Sequence, residues 1–183
     1  MKKIGAWLTA IIIALGLGLL APGAASATPS YCGLAWGSLA KSNQAMSAAS
    51  VTNVRSGKYY CFDRLVIDIK GKATGYNVRY VSKVAHAGSG LPIKLRGGAF
   101  LQITAHSPSY DSATGKATFV PANRSEVTNV STYQTFRQVA WAGSFEGHTT
   151  LGLGVRARLP FKVFTLAGPG NGSRLVIDVA HQW

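Results

Sequence analysis

Between Phe62 and Ile69, large apolar side chains fall at every second position, Leu65, Ile67 and Ile69, with Arg64, Val66 and Asp68 between them. That alternation, rich in β-branched residues, is the period of a strand that buries one face. Five of these residues return near the C-terminus: Arg64-Leu65-Val66-Ile67-Asp68 recurs as Arg174-Leu175-Val176-Ile177-Asp178. Both copies are predicted to line one core. Within a copy, Arg and Asp share the outward face but stand about 13 Å apart and cannot pair with each other. Two arrangements would supply partners. As antiparallel neighbours with Val66 opposite Val176, the copies would set Arg64 against Asp178 and Asp68 against Arg174, two ion pairs that fix the register. As equivalent strands of a duplicated unit, they would lie in different sheets. Chance reuse of a short apolar string is a third explanation.

The same period recurs along the chain. Val51 to Arg55 alternates as a strand, Ser56-Gly57-Lys58 supplies a turn, and Tyr59 to Ile69 returns, which predicts a hairpin. Tyr76 to Val84 follows a polar link at Lys70 to Gly75, and Leu95 to His106 holds another strand after a glycine-bearing loop at Ala85 to Leu91. Ser107 to Ser131 contains Pro108, Gly115 and Pro121 and reads as a long surface loop with a brief strand at Ala117 to Val120. Loops of that length commonly carry function. The last third predicts strands at Thr135 to Ala142, Thr149 to Ala157 and Pro160 to Leu166, then the second repeat, with turns at Gly143 to Gly147 and Gly168 to Gly172. Val51 to Leu65 and Val139 to Leu153 are equally spaced hairpins, each followed by an aromatic strand. The expected fold is all-β, an antiparallel two-sheet β-sandwich of about eight strands in which a strand-hairpin-strand unit is used twice.

The N-terminus changes the picture of where the protein works. Lys2-Lys3, the uncharged apolar run Ile4 to Leu20 and the Ala25-Ser26-Ala27 box have the order of a secretory signal peptide, so residues 1–27 are expected to be removed. No transmembrane anchor is expected in the remainder, and the protein is expected to be secreted and associated with the cell envelope. Residues 28–50 form an irregular Ser, Ala and Gly-rich segment anchored by Trp36 and Leu39, with a short helix expected at Lys41 to Ala49; residues 51–183 form the sandwich. Without Lys2 and Lys3 the formal charge falls from +13 to +11, and the basic residues are scattered. Such a field attracts polyanions, whether wall polymers, anionic lipid or nucleic acid, though nothing marks a specific nucleic-acid site. Cys32 and Cys61 both lie in the exported part and are predicted to form a disulfide closing a loop of about 30 residues. A reactive or metal-bound thiol is disfavoured because neither cysteine has a Cys-x-x-Cys partner or a nearby His.

A wider set of motifs then comes into view: Tyr31-Cys32-Gly33-Leu34-Ala35-Trp36-Gly37-Ser38, Cys61 to Asp68, Leu95-Arg96-Gly97-Gly98-Ala99, Ala142 to Gly147, and Arg174 to His181. Together they resemble the AMIN-like domain of secreted actinobacterial proteins, across nearly the whole exported chain. That domain is similar to the AMIN module, a β-sandwich that accompanies periplasmic amidases and secretins and directs them to the envelope, in part by binding peptidoglycan. The resemblance implies envelope localisation, a non-enzymatic role, and peptidoglycan or another envelope protein as partner.

The residues themselves offer little catalysis. The common hydrolase, phosphate-loop and metal-ligand spacings are missing, no catalytic residue or cofactor is assigned, and only six acidic residues exist. Glu146 with His148, on the turn after Phe145, is the best acid/base candidate, and it supports the alternative of a small secreted hydrolase. A turn carboxylate bonding backbone amides explains Glu146 as well. Binding has better candidates. Arg156 and Arg158 share one strand face, and Arg137 and Trp141 lie in the preceding strand. Guanidinium groups grip carboxylate or phosphate, and an indole stacks on a sugar face, so these four could hold an anionic glycan. A core Trp141 beside a solvated arginine face is the competing explanation. The leading expectation is a secreted non-catalytic module contacting peptidoglycan or another anionic wall polymer. Adhesion to anionic lipid or nucleic acid by charge alone is a further alternative.

Overall fold

The structure is a computed structural model that describes residues 30–46, 48–72 and 75–183; the expected signal peptide lies outside the described residues. A single 3-10 turn at Tyr31–Gly33 precedes eleven strands. These are β1 (Lys41–Asn43), β2 (Ser50–Lys58), β3 (Phe62–Lys70), β4 (Tyr76–Val81), β5 (Val84–Ala85), β6 (Pro92–Ile93), β7 (Ala99–Ala105), β8 (Phe136–Phe145), β9 (His148–Val155), β10 (Phe161–Ala167) and β11 (Ser173–Ala180). One sheet runs β1-β4-β7-β9-β8, the other β10-β11-β3-β2, and β5-β6 forms a small ribbon. Every pairing is antiparallel. The chain is the expected all-β two-sheet sandwich.

The side chains that face the core follow the two-residue period, although β8, β9 and β11 are buried along most of their length. Leu65, Ile67, Leu175 and Ile177 from one sheet join Leu101, Ile103, Val139, Leu151 and Leu153 from the other in a single core cluster closed to solvent. Each such side chain stabilises the fold by roughly 1.5–3 kcal/mol on burial. The path of the chain is followed twice. β2-β3 enter the four-stranded sheet and β4-β7 the five-stranded one; then β8-β9 enter the five-stranded sheet and β10-β11 the four-stranded one. The identical strands β3 and β11 are not corresponding members of these halves. They are direct neighbours, with Val66 opposite Val176, Arg64 opposite Asp178 and Asp68 opposite Arg174. The antiparallel arrangement holds, and equivalence in different sheets does not.

Only one of the two expected ion pairs forms. Arg64 donates to both carboxylate oxygens of Asp178, at 2.6 and 2.8 Å. Asp68 is instead gripped by Arg55 of β2, at 2.8 and 3.0 Å, and Arg174 turns its Nη2 to the Ala167 carbonyl. The reason lies on β2, where Arg55 stands opposite Val66 and reaches diagonally to Asp68.

Other expectations shift locally. The helix at Lys41 to Ala49 is absent: Lys41–Asn43 pair with Tyr76–Val78, and the Asn43 side chain accepts from the Ala45 N–H, a local bond that competes with helix. β2 runs through Ser56-Gly57-Lys58 and turns at Tyr59 to Cys61, because Gly57 leaves room for the Tyr59 ring. β9 ends at Val155 rather than Ala157. At Ala117 to Val120 there is only a bridge from Ala117 to Tyr110, with the Thr118 and Phe119 N–H groups both donating to Ser109 O. The predicted disulfide joins Cys32 to Cys61.

Candidate functional site

The long segment after β7 is not a loose surface loop. It covers the outer edges of β2 and β8, the two edge strands on that side of the sandwich. Val51 N donates to Pro108 O, and Ser56 Oγ bonds Thr128 Oγ1; on β8, Trp141 N donates to Arg124 O and Val127 N to Val139 O. Val51 N on one edge and Trp141 N and Val139 O on the other, groups that an open sandwich edge would expose, are thereby used.

This strapping creates a cleft of about 520 Å³. Its floor is Trp141, 8% exposed, whose indole meets the Phe119 ring edge-on at 5.4 Å. Tyr110 and the exposed Val120 form walls, and Arg124, His86, Ser109 and Ser144 bring polar groups. The pieces are tied together. Ser109 N donates to Ser144 Oγ, Gly147 N to the Tyr110 hydroxyl, and Ala87 N to Ala142 O. Asp111 fixes the rim by accepting from the Thr114 backbone N–H, the Thr114 hydroxyl and the Ala113 N–H, and these bonds hold its carboxyl below the usual carboxylate range. A concavity with an aromatic floor and several fixed polar groups along its walls can receive a small polar ligand.

The four residues expected to bind fall in different places. Trp141 belongs both to the core cluster and to the cleft. Arg137 folds onto the carbonyls of Tyr133, Gln134 and Phe136. Arg156 donates to the His181 carbonyl. Arg158 lies over the Tyr80 ring at 5.0 Å and bonds Ser38, while the Trp183 indole donates to the Arg158 carbonyl. Since β9 ends before them, Arg156 and Arg158 sit in the bend towards β10 and not on a strand face. Sequence reasoning missed Arg124, Tyr110, Phe119 and His86. The only signal for the first three was their presence in a long irregular segment.

The acid/base candidates stay apart from the cleft. Glu146 is an exposed turn residue in the left-handed region (φ 46°), and His148 Nδ1 lies 2.8 Å from the Glu146 backbone oxygen rather than its carboxylate. An Asp–His contact does exist elsewhere: Asp63 Oδ1 is 3.2 Å from His181 Nε2, and Asp63 Oδ2 accepts the Thr135 and Phe136 N–H groups. Both side chains are sealed from solvent, and the pair ties the start of β8 to β3. Among the described residues no cluster of His, Cys, Asp and Glu is arranged to hold a metal ion, and no helix is long and apolar enough to cross a membrane.

The Leu95 to Ala99 motif has a steric meaning. A Cβ on Gly154 would run into the Arg96 carbonyl, and one on Gly98 into the Arg156 carbonyl, so these glycines let the motif lie flat on β9. No curated protein and no solved structure matches the chain. A family model does: the AMIN-like domain matches residues 49–181, which include both sheets' long strands, the strap and the cleft, and the chain therefore belongs to the AMIN-like domain family.

Proposed function

We propose that this protein is a secreted, non-catalytic cell-envelope module that holds an anionic wall polymer, peptidoglycan first among them, in the cleft floored by Trp141. Family membership supports the envelope setting. The observation that carries the binding reading is Arg124 at the mouth of an aromatic cleft, where no carboxylate of the chain is bonded to it among the described residues. A sugar ring can stack on the Trp141–Phe119 floor while a carboxylate of the polymer takes the guanidinium. Arg137, Arg156 and Arg158 contribute the surrounding positive field, which gathers polymer without selecting it.

The test is co-sedimentation with purified peptidoglycan as the screening length falls from about 10 Å to about 3 Å with added salt. The protein should stay bound at high salt, and Arg124→Ala, an exposed change, should lose that retention. Changing Arg156 and Arg158 together to Ala should weaken only the low-salt binding. If all binding disappears at moderate salt, or if Arg124→Ala is retained like the parent, the cleft is not the site and charge-driven adhesion replaces this reading. Release of soluble fragments from the polymer would overturn the non-catalytic part and restore the hydrolase alternative with Glu146 and His148.

A further inference from the structure

The outer face of the four-stranded sheet carries a second feature, independent of the cleft and of the envelope reading. Three arginines, Arg55, Arg64 and Arg174, surround a concavity of about 240 Å³ whose apolar surfaces come from Val176, Leu166 and Tyr59. Only two carboxylates serve them. Asp178 has both oxygens on Arg64, and Asp68 has both on Arg55 and one also on Asn53. Lys162 adds another positive charge to the same face across from Asp178, its ammonium 5.0 Å from the Phe164 ring.

Arg174 is the cation left over. Its Nη2 donates to the Ala167 carbonyl, while its Nε is enclosed and meets no acceptor. A buried guanidinium N–H without an acceptor is costly, and such exceptions call for a reason. The residue that faces Arg174 across the sheet, Asp68, is withheld by Arg55. The face thus holds three guanidinium groups and two bonded carboxylates. The Leu166 and Tyr59 side chains, 37% and 46% exposed, offer apolar contact beside it.

We infer that this concavity binds a carboxylate carried on a short apolar group, such as the free C-terminus of a peptide, with Arg174 and Arg55 gripping the oxygens and Leu166 and Tyr59 covering the carrier. A planar carboxylate matches the guanidinium fork, and the flanking apolar side chains favour a carrier that a bare inorganic anion lacks.

The experiment is an NMR titration of the purified protein that follows the Nε–H resonances of Arg174, Arg55 and Arg64. The probes are N-acetyl-leucine, its amide, and inorganic phosphate, each added separately. N-acetyl-leucine should shift the Arg174 and Arg55 signals saturably, and the amide should bind weaker by about tenfold or more, the loss expected for one charge-assisted contact. In Arg174→Met the Arg55 shift should vanish while the Arg64 signal stays in place, showing that the sheet face is still folded. Equal shifts with acid and amide, no shift with either, or a response to phosphate alone would overturn the assignment.

Discussion

At one end of the β3–β11 pair, Arg64 meets Asp178 through two bonds; at the other, Arg174 stands across from Asp68 and is not bonded to it. The two crossings have identical residues in mirrored positions, so their own strands cannot explain the difference. The surroundings do. Arg64 is roofed by aromatic rings, with Tyr59 at 4.9 Å, Phe62 at 5.2 Å and Phe164 at 5.5 Å from its guanidinium carbon. Gly57 opposite Arg64 brings no competing charge, whereas Arg55, two residues before it on β2 and opposite Val66, comes within reach of Asp68. A repeated sequence therefore makes one enclosed ion pair and one open anion site. Which it makes depends on the third strand.

The largest test of this contrast is Asp178→Ala. The carboxylate side chain is 3% exposed and its arginine 23%, so its removal strands a half-buried cation and should cost about 3–4 kcal/mol in urea denaturation. A loss under about 1 kcal/mol would mean that the roof of rings, not the pair, holds that end. Next is the roof's own anchor. The Cys32–Cys61 bond fixes the turn that carries Tyr59 and Phe62, and replacing both cysteines with Ser should cost about 3 kcal/mol. If the same change also moved the Arg174 end, seen in its Nε–H signal, the two crossings would be coupled through the sheet.

At the open end the expected effects are small. Asp68→Ala releases Arg55, which is half exposed, to water and should cost no more than about 1 kcal/mol. Arg174→Met removes the orphaned donor and should leave stability unchanged or raise it by up to about 1 kcal/mol. Clear destabilisation by that change would show that the bond from Arg174 to the Ala167 carbonyl outweighs its unmatched Nε, and would remove the contrast.

The smallest effect separates charged anchors from a neutral one. Both pairing arginines, Arg64 and Arg55, hold their protons more tightly than usual, chiefly through the side-chain bonds to Asp178 and Asp68, so both ion pairs should persist into strong alkali. Tyr80 differs. Its hydroxyl donates to Leu159 O and accepts from Leu159 N, and burial, the main cause, pushes its ionisation upwards. A raised value means that its stabilisation is complete below about pH 10 and is lost as pH climbs through the folded value. Alkaline denaturation should therefore begin above pH ~10 and start from a lower baseline in Tyr80→Phe, which lacks both bonds.

Much of this was legible beforehand. Alternation at Leu65, Ile67, Leu175 and Ile177 located the core, and letter-for-letter recurrence offered, as one of three explanations, the register that the structure adopts. Asn43 was misread because its partner strand β4 lies far along the chain, and Gly57 because the space beside it is taken by the Tyr59 ring two residues on, which only the folded backbone shows. The cleft was half legible. Trp141 was singled out, but Arg124 reaches it only because the strap returns to bond β8.

By itself the sequence determined the period of each strand, and so which side chains face the core, because successive residues of a strand point to opposite faces whatever it pairs with. It also determined the covalent link, since two cysteines allow one intramolecular bond. Only the tertiary structure decided which carboxylate each arginine receives and which segments border the cleft. Those choices depend on strands far apart in the chain, and charged groups select partners by distance after the core has set the sheets in place.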